Sequence, residues 1–591
     1  MSSHNNSSSS PNDPRQPSAA KPYVPPMVLP QDLPVDYAGF IAVVFGVAGV
    51  MFRYKLCSWL AIIFCAQSLA NMRNIENDLK QNFRMGLSDD VIKAPLSDDV
   101  VKANALNLKE MARKSVAAGG SSFKNFRVFI EELGSSWKPH VMVIPYPVQG
   151  HVMPLMKLAY KLADHGIKVT FVNSDSMHGK IMAAVPEKLK EKIPIILVSI
   201  SDGSESNREP KNQLEILKSI SSFMPVNLQK LIEDINGLNN DEQISCIIAD
   251  VSAGWALEVA KKMGIKCAAV SPYGLGNLVS QLQAPKLIEA GVIDADGILI
   301  KDELTCLSKA VPGWNMKELS WSFPGVPEVQ KLIFAHFIRN LVEHIKISDW
   351  LLANSFYELE PLACDFIPDA LPIGPLFASN HLGPFPGNFW PEGSICLSWL
   401  DEQPAGSVIY AAFGSSAVCN QQQFNELAHG LEILGKPFLW VVRSNFTSGL
   451  LAEFPDGYLE RVANYGKILE WAPQEKVLAH PSVACFLSHC GWNSTMEGVC
   501  MGVPFLCWPF YVDQFSNSTY ICETWKVGLK LIPDENGIVT RHEIKGKVEK
   551  LLSDTDIKAN SLKLKEMAGN SISEGGSSSK NFLSFIEQIK Q

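Results

Sequence analysis

Short uninterrupted apolar runs alternate with segments in which apolar residues recur every three or four positions, and this alternation governs residues 138–591. Residues 140–147 (HVMVIPYP) form such a run and predict a buried strand, and Gln149-Gly150-His151 predicts a turn. Val152, Leu155, Met156, Ala159 and Leu162 then recur at helical spacing, Gly166 supplies a stop, and 168–173 (KVTFVN) predicts the next strand. Strand, helix and strand in succession make a βαβ unit and hence parallel sheet. Further strands are predicted at 244–249, 266–270 and 350–353. A Pro/Gly-rich stretch at 371–393 separates them from a second α/β half with strands at 407–413 and 438–442. No GxGxxG follows the first strand, which removes the main support for a dinucleotide-binding oxidoreductase.

The densest chemistry lies at 471–514 (WAPQEKVLAHPSVACFLSHCGWNSTMEGVCMGVPFLCWPFYVDQ). A strand is predicted at 484–487, a turn at Ser488-His489-Cys490-Gly491, and a helix opening at Trp492 with Asn493 or Ser494 as N-cap. The free N–H groups and positive dipole end of such a start make an anion site. His489 and the Ser494 and Thr495 hydroxyls add donors suited to a diphosphate. Glu497, one turn into the helix, is placed to accept from the two hydroxyls of a ribose. Trp471 offers a flat face to a nucleobase, a stacking worth about 1–3 kcal/mol. After a strand at 503–508, Asp513 and Gln514 supply acceptors and a donor that suit sugar hydroxyls. An ordinary βα unit could use His489 and the tryptophans as core residues, but it has no need of the whole set at this spacing.

The same block resembles, without a gap, the signature of plant family-1 UDP-sugar glycosyltransferases. The resemblance implies Trp471 on uracil, the Ala472 backbone and Gln474 on uracil or ribose, and Glu497 on the ribose. It implies His489, Trp492, Asn493 and Ser494 on the diphosphate, a further phosphate contact from the Gly414-Ser415 loop, and Asp513 and Gln514 on the sugar. A closing Gln implies glucose rather than galactose, hence UDP-glucose as the donor co-substrate. Two facing Rossmann-like halves with a cleft between them resemble the GT-B fold, an α/β class, with the last helix (about 578–589) returning to the first half. Asp294-Ala295-Asp296 fits the metal-binding DxD of a different glycosyltransferase fold, but it stands in a polar loop away from the nucleotide motif, so no metal is expected.

The chemistry also needs a base at the acceptor hydroxyl. His151 follows the first strand, where parallel-sheet proteins place ligands, and an ordinary imidazole pKa near 6.5 suits proton removal at neutral pH. Asp250 ends the apolar strand 244–249 and can hold the ring in one tautomer. A lone His is more often structural and a lone Asp more often a cap. Here Gln149-Gly150-His151 and Ile248-Ala249-Asp250 both match the family's catalytic pair, which implies inverting displacement of UDP by an acceptor oxygen. Relatives often carry a sugar-contacting Thr or Ser near the end of the strand after the Asp, and here Ser271-Pro272 occupies that place. Apolar and aromatic residues around Met177, Trp255, Tyr273 and 314–321 fit a flat lipophilic acceptor such as a flavonoid or other phenol, and are equally good core residues.

The front of the chain follows another pattern. Residues 1–35 are rich in Ser, Asn and Pro and are expected to be disordered. Residues 37–52 and 56–70 are apolar runs broken by Arg53-Tyr54-Lys55, each short of the roughly 18–20 residues of a spanning helix. They allow a membrane hairpin or a pair of buried helices. Residues 12–81 resemble Asterix, a small membrane subunit of a translocon-associated chaperone complex of the endoplasmic reticulum. The resemblance rests on Asp13 to Arg15, DYAGF, the Lys55-Leu56-Cys57-Ser58-Trp59 turn and SLANMRNIENDLKQ, and the further apolar segment of that family is missing. Residues 96–131 then repeat 552–587 position for position, with Lys-Glu-Met-Ala, Gly-Gly-Ser-Ser and Lys-Asn-Phe at the same offset. Such a copy reads as the orphaned tail of a second transferase, and the whole as a fused gene.

The expected organisation is a disordered lead (1–35), a truncated Asterix-like segment (36–83), an orphan tail copy (84–137), an acceptor domain (138–375), a linker (376–404), a UDP-sugar domain (405–575) and a returning helix (576–591). Membrane association would come through 37–70. The transferase itself is expected in the cytoplasm, or at the endoplasmic reticulum if the front segment inserts. The competing reading is a membrane chaperone subunit that carries the transferase as a passenger.

Composition changes this picture little. Of 591 residues 46% are hydrophobic and 19% charged, which is globular, and a net charge of −9 gives no support for nucleic acid as a partner. Thirteen cysteines without a CxxC pair read as reduced core thiols. The resemblance to UDP-sugar glycosyltransferases implies a UDP-sugar and a small acceptor as partners, and no oligomeric state follows.

Overall fold

The computed structural model describes residues 139–185, 193–203, 213–238, 243–301, 319–323, 325–376, 395–447 and 453–591. All of them belong to the compact unit Glu131–Gln591. The expectations for 1–137, for Trp314 and for most of the 376–404 linker lie outside the described residues.

Two sheets, each with every named strand parallel to its neighbour, carry the fold. The first contains β1 (His140–Ile144), β2 (Lys168–Ser174), β3 (Ile196–Ile200), β4 (Ile244–Asp250), β5 (Lys266–Ser271), β6 (Trp350–Ala353) and β7 (Ala370–Pro372) in the order β3-β2-β1-β4-β5-β6-β7. The second contains β8 (Val408–Ala412), β9 (Phe438–Val441), β10 (Gly466–Leu469), β11 (Val483–Ser488), β12 (Phe505–Cys507) and β13 (Gly528–Lys530) in the order β10-β9-β8-β11-β12-β13. The strand runs are continuously apolar because crossover helices cover both faces of a parallel sheet. Met142 and Ile144 of β1 enter one core and Val141 and Val143 the other. This is the two-Rossmann α/β architecture expected from the alternation of strands and helices.

Four strands are not marked by the apolar pattern, and they are β3, β7, β10 and β13. All four are sheet edges. An edge strand has one paired side and less burial, so β10 is only half-buried along its length and β3 has exposed positions.

Both sheets reverse their winding at the first strand: β1 lies between β2 and β4, and β8 between β9 and β11. Ligands of open parallel sheets bind outside the C-terminal ends of the strands at such switch points. The loop after β1 carries Gln149-Gly150-His151, β4 ends in Asp250, β8 is followed by Gly414-Ser415, and β11 by His489-Cys490-Gly491. Four sequence motifs thus converge on two crevices by topology.

The chain returns to its first half at the end. The C-terminal helix Ser577–Ile589 sets Phe582, Phe585, Ile586 and Ile589 into the core of the first sheet, each apolar side chain contributing about 1.5–3 kcal/mol when fully buried. Asn581 donates to the Pro372 carbonyl (2.9 Å) and Trp350 to Gln588 (2.6 Å). Among the described residues ten cysteines are free, nine of them buried, and no helix is long and apolar enough to cross a membrane.

Candidate active site at the interface of the two sheets

The first switch point is built on helix α1 (Gln149–Asp164), which begins five residues after β1 and holds His151 in its first turn. Asp250, fully buried, caps the 3-10 turn after β4: its Oδ1 accepts from the Ser252 N–H (2.8 Å) and its Oδ2 lies 2.7 Å from Nδ1 of His151. A carboxylate only accepts, so Nδ1 carries the proton and Nε2 is left with its lone pair. Burial acts to lower the His151 pKa, but the charge and hydrogen bond of Asp250, together with the charge of Asp513, outweigh it and raise the value. Tyr146 meets the His151 ring edge-on (5.7 Å) and continues into Phe337 (5.0 Å) and His336 (6.3 Å). These rings form an aromatic wall beside His151.

The second switch point is built on helix α3 (Trp492–Met501), flanked by α2 (Gln474–Leu478) and α4 (Asp513–Thr519). Its N-cap is Gly491, not Asn493 or Ser494, and no side chain caps it. The helix starts two to three residues earlier than capping propensity indicates because Cys490, at φ 64°, turns the backbone sharply after β11. His489 packs into a cradle of two glycines. A Cβ at Gly414 would lie 2.4 Å from its Nε2 and one at Gly491 2.5 Å. Burial, aided by the nearby Arg443 charge, lowers the His489 pKa to about 4, so the ring is neutral at pH 7. Its Nδ1 is buried and meets no hydrogen-bond partner among the described residues.

The structure also corrects several roles. Trp492 is 4% exposed and its indole N–H donates to the Asn354 carbonyl (2.8 Å), so the side chain joins the two halves and does not face a diphosphate. Its backbone N–H serves the Asp513 carboxylate. Asn493 donates its amide to the Gly150 carbonyl (2.7 Å), again across the halves. Trp321 is fully buried and bonded to the Gly297 carbonyl (3.0 Å), a core residue and not an acceptor contact. Asp294 closes its own loop by accepting from the N–H groups of Asp296 (2.9 Å) and Ile298 (2.8 Å), and Asp296 pairs with Arg339 (3.4 Å).

Other expected residues do come together. Gln474 donates to Ser494 (2.8 Å) and Glu497 (2.7 Å) and accepts from Tyr410 (3.2 Å), which makes one network of the three polar residues of the motif. Trp471 is half-buried beside the buried Ala472. Ser415 is exposed, and its carbonyl accepts from Arg443 (2.8 Å). Gln514 is buried, with its amide oxygen held by the N–H groups of Phe510 (2.9 Å) and Tyr511 (3.3 Å). Asp513 is pushed up to about 6 by burial, against the hydrogen bond from Asn517 and the charge of His151. The residue before it, Val512, sits at φ 47°, a strained position for a β-branched side chain, and its N–H donates to the Ser322 carbonyl of the first half (3.0 Å).

Nothing in the sequence marks Tyr146, His336, Phe337, Arg443, Val512 or the buried Lys157 as site residues. Only the unusual neighbourhood of each, visible in three dimensions, does so.

Comparison with known proteins points to one enzyme family over most of the chain. Residues 391–570 match the family model described as UDP-glucoronosyl and UDP-glucosyl transferase, and residues 10–88 match PAT complex subunit Asterix. UDP-glycosyltransferase 83A1 of Arabidopsis thaliana is 40% identical over 462 residues, covering 77% of this chain and 97% of that protein. (R)-mandelonitrile beta-glucosyltransferase of Prunus dulcis is 30% identical, covering 76% and 96%. Among solved structures, a UDP-glucosyltransferase from Polygonum tinctorium capable of glucosylating indoxyl superimposes with a TM-score of 0.64 at 27% identity, covering 77% of this chain and all of that one. Phytolacca americana UGT2, complexed with UDP-2fluoro-glucose and pterostilbene, gives 0.63 at 25% identity with the same coverage.

Proposed function

The chain belongs to the UDP-glucoronosyl and UDP-glucosyl transferase family, and from that premise we propose that it moves glucose from UDP-glucose to a phenolic or similar flat hydroxyl acceptor, with inversion and without a metal. The observation that carries the reading is the His151–Asp250 pair, 2.7 Å apart, set between an aromatic wall and the Asp513 loop. The acceptor hydroxyl gives its proton to Nε2 of His151 as its oxygen attacks the anomeric carbon, and the bond from that carbon to UDP breaks. Asp250 holds the tautomer and stabilises the imidazolium, the orienting role of a triad carboxylate.

On the donor side, Trp471 and Ala472 would hold uracil, and Gln474 and Glu497 the ribose. The diphosphate would lie over the first-turn N–H groups of Asn493 and Ser494, the Ser494 hydroxyl, Nδ1 of His489 and the Ser415 loop, which stabilise the leaving group by fixed dipoles. A neutral His489 donates without adding charge. Asp513 and the amide nitrogen of Gln514 would take the sugar hydroxyls. Phytolacca americana UGT2, whose solved complex holds a fluorinated UDP-glucose and pterostilbene, supports both the donor and an aromatic acceptor.

The test is UDP release by the full chain with UDP-glucose and a panel of phenols, beside His151→Ala. Acceptor-dependent turnover that falls by roughly 10²–10⁴-fold in the variant is expected for a lost general base. Turnover indifferent to the substitution would sink the mechanism.

The match of residues 10–88 favours a second, compatible reading, in which the front segment holds the enzyme at the endoplasmic reticulum membrane. Fractionation decides it: a product found wholly in the soluble fraction rejects anchoring.

A further inference from the structure

Lys157 lies two turns along α1 from its start, outside the apolar stripe of that helix, and would ordinarily reach solvent. It is 6% exposed instead, because the second half of the molecule covers it. Its Nζ bonds Glu475 of α2 and lies 3.8 Å from Oε1 of Glu497 of α3. The other oxygen of Glu497 accepts from Gln474 (2.7 Å). A buried ammonium is kept charged by such partners, and a buried carboxylate by a neighbouring cation or by hydrogen-bond donors.

We propose that Lys157 is a positioning residue for the donor: reaching across from the acceptor half, it favours the ionised form of Glu497, whose carboxylate accepts both ribose hydroxyls of the UDP-sugar. The proposal rests on the reading of Glu497 as the ribose acceptor. A protonated Glu497 would be an O–H donor with one oxygen less to offer, and two vicinal hydroxyls need two acceptors.

Among the described residues the groups that face Glu497 are few. Lys157 comes from α1, Glu475 and Gln474 from α2, Tyr410 from β8, and Cys500 from α3 itself. The helix Thr555–Ile572, packed on α3, brings the apolar Leu564 and Ala568 to it, and its Lys565 lies at Gly502, the far end of α3. Asp513 of α4 lies at the other end, on the Trp492 N–H. Lys157 is therefore the one cation in that set, against two carboxylates. Burial pushes Glu497 up to about 7, with Glu475 adding to it and Lys157 and Gln474 opposing it. Burial acts to lower Lys157, but Glu475 and Glu497 outweigh it and hold it charged.

The two neighbours of Glu497 make opposite forecasts. Loss of Lys157 favours the protonated acid, so donor affinity should fall as pH drops at a higher pH than in the wild type. Loss of the Glu475 charge favours the carboxylate, so the same fall should move to lower pH. Calorimetric titration of the full chain with UDP-glucose and with its 2′-deoxyribose counterpart, from about pH 5.5 to 8.5 and without acceptor, reads this directly. Neither ligand has a secondary phosphate that titrates in that range.

We expect the wild type to prefer UDP-glucose. Lys157→Met should bind it roughly tenfold more weakly at about pH 6.5, the effect of about one unit of pKa, and recover toward pH 8.5. Lys157→Arg should retain wild-type behaviour, and Glu475→Gln should shift the midpoint the other way. A wild type indifferent to the 2′-hydroxyl overturns the ribose reading and the proposal with it. A discriminating wild type with a pH-independent loss in Lys157→Met, or a Glu475→Gln midpoint that does not move, overturns the role of Lys157 alone. Should Lys157→Met fail to fold, the Glu475→Gln midpoint still decides.

Discussion

Asn493 donates its side-chain amide to the carbonyl of Gly150 (2.7 Å), the residue immediately before His151. The first turn of α3 is thereby tied to the first turn of α1, which carries His151. With Trp492 on Asn354 (2.8 Å) and Val512 on Ser322 (3.0 Å), it fixes the distance over which a sugar must pass from nucleotide to acceptor. A reaction that needs atoms aligned within a few tenths of an ångström depends on this seam as much as on the reacting groups.

Asp250→Asn tests the tautomer. An amide that donates to Nδ1 would move the imidazole proton to Nε2 and leave no base facing the acceptor. The cap on Ser252 survives through the amide oxygen, so kcat/KM should drop by roughly 10²–10⁴-fold while the melting temperature changes little.

The acid limb of the pH–rate profile should lie above the ordinary histidine value. As the proposed base His151 must be neutral to act, and Asp250 and Asp513 raise its pKa against burial. Activity is then lost as pH falls through that raised value. In Asp513→Asn one of the two charges is gone, so the limb should move to lower pH, whatever happens to the maximal rate. A limb that stays in place removes Asp513 from the neighbourhood of the base.

Asp513 also costs stability. Its folded pKa, near 6, is above the ordinary aspartate value because burial disfavours the charge. Between about pH 4 and 6 the folded state binds more protons than the unfolded one, so stability falls as pH rises through that window. Asp513→Asn should accordingly melt higher than wild type at about pH 7.5 and no higher at about pH 4, while UDP-glucose turnover declines. Thermal denaturation at the two pH values checks the sign.

Trp492→Phe separates structure from binding. It removes the hydrogen bond to Asn354 and leaves a buried carbonyl unpaired, which should cost about 1–3 kcal/mol of stability. If the indole were a phosphate ligand, donor KM would rise instead with stability unchanged, and denaturant titration beside kinetics tells the two apart.

Gly414→Ala puts a methyl carbon 2.4 Å from Nε2 of His489 and forces a left-handed φ of 64° on an L residue, a strain of roughly 1–2 kcal/mol. His489 should be displaced from the phosphate position, and UDP-glucose affinity should weaken with acceptor KM unchanged.

The sequence by itself determined the fold class and named most of the candidate reacting groups. Continuous apolar runs separated by helical spacing leave a doubly covered parallel sheet as the only economical arrangement, and the interior strands β1, β4, β8 and β11 stand out for that reason. His151, Asp250 and the 471–514 block were equally visible, since reacting groups follow interior strands and occupy turns that apolar patterns delimit. The edge strands were not visible, because half-burial leaves no pattern. What only the tertiary structure decided is the partner of each side chain across the seam. Trp492 was legible as a conspicuous aromatic but not as a bridge to Asn354, and Lys157 reads as a solvated helix face until the second half covers it. Periodicity reports which face of an element is buried against its own sheet. It carries no information on what a separate sheet, more than 300 residues away in the chain, lays over the other face.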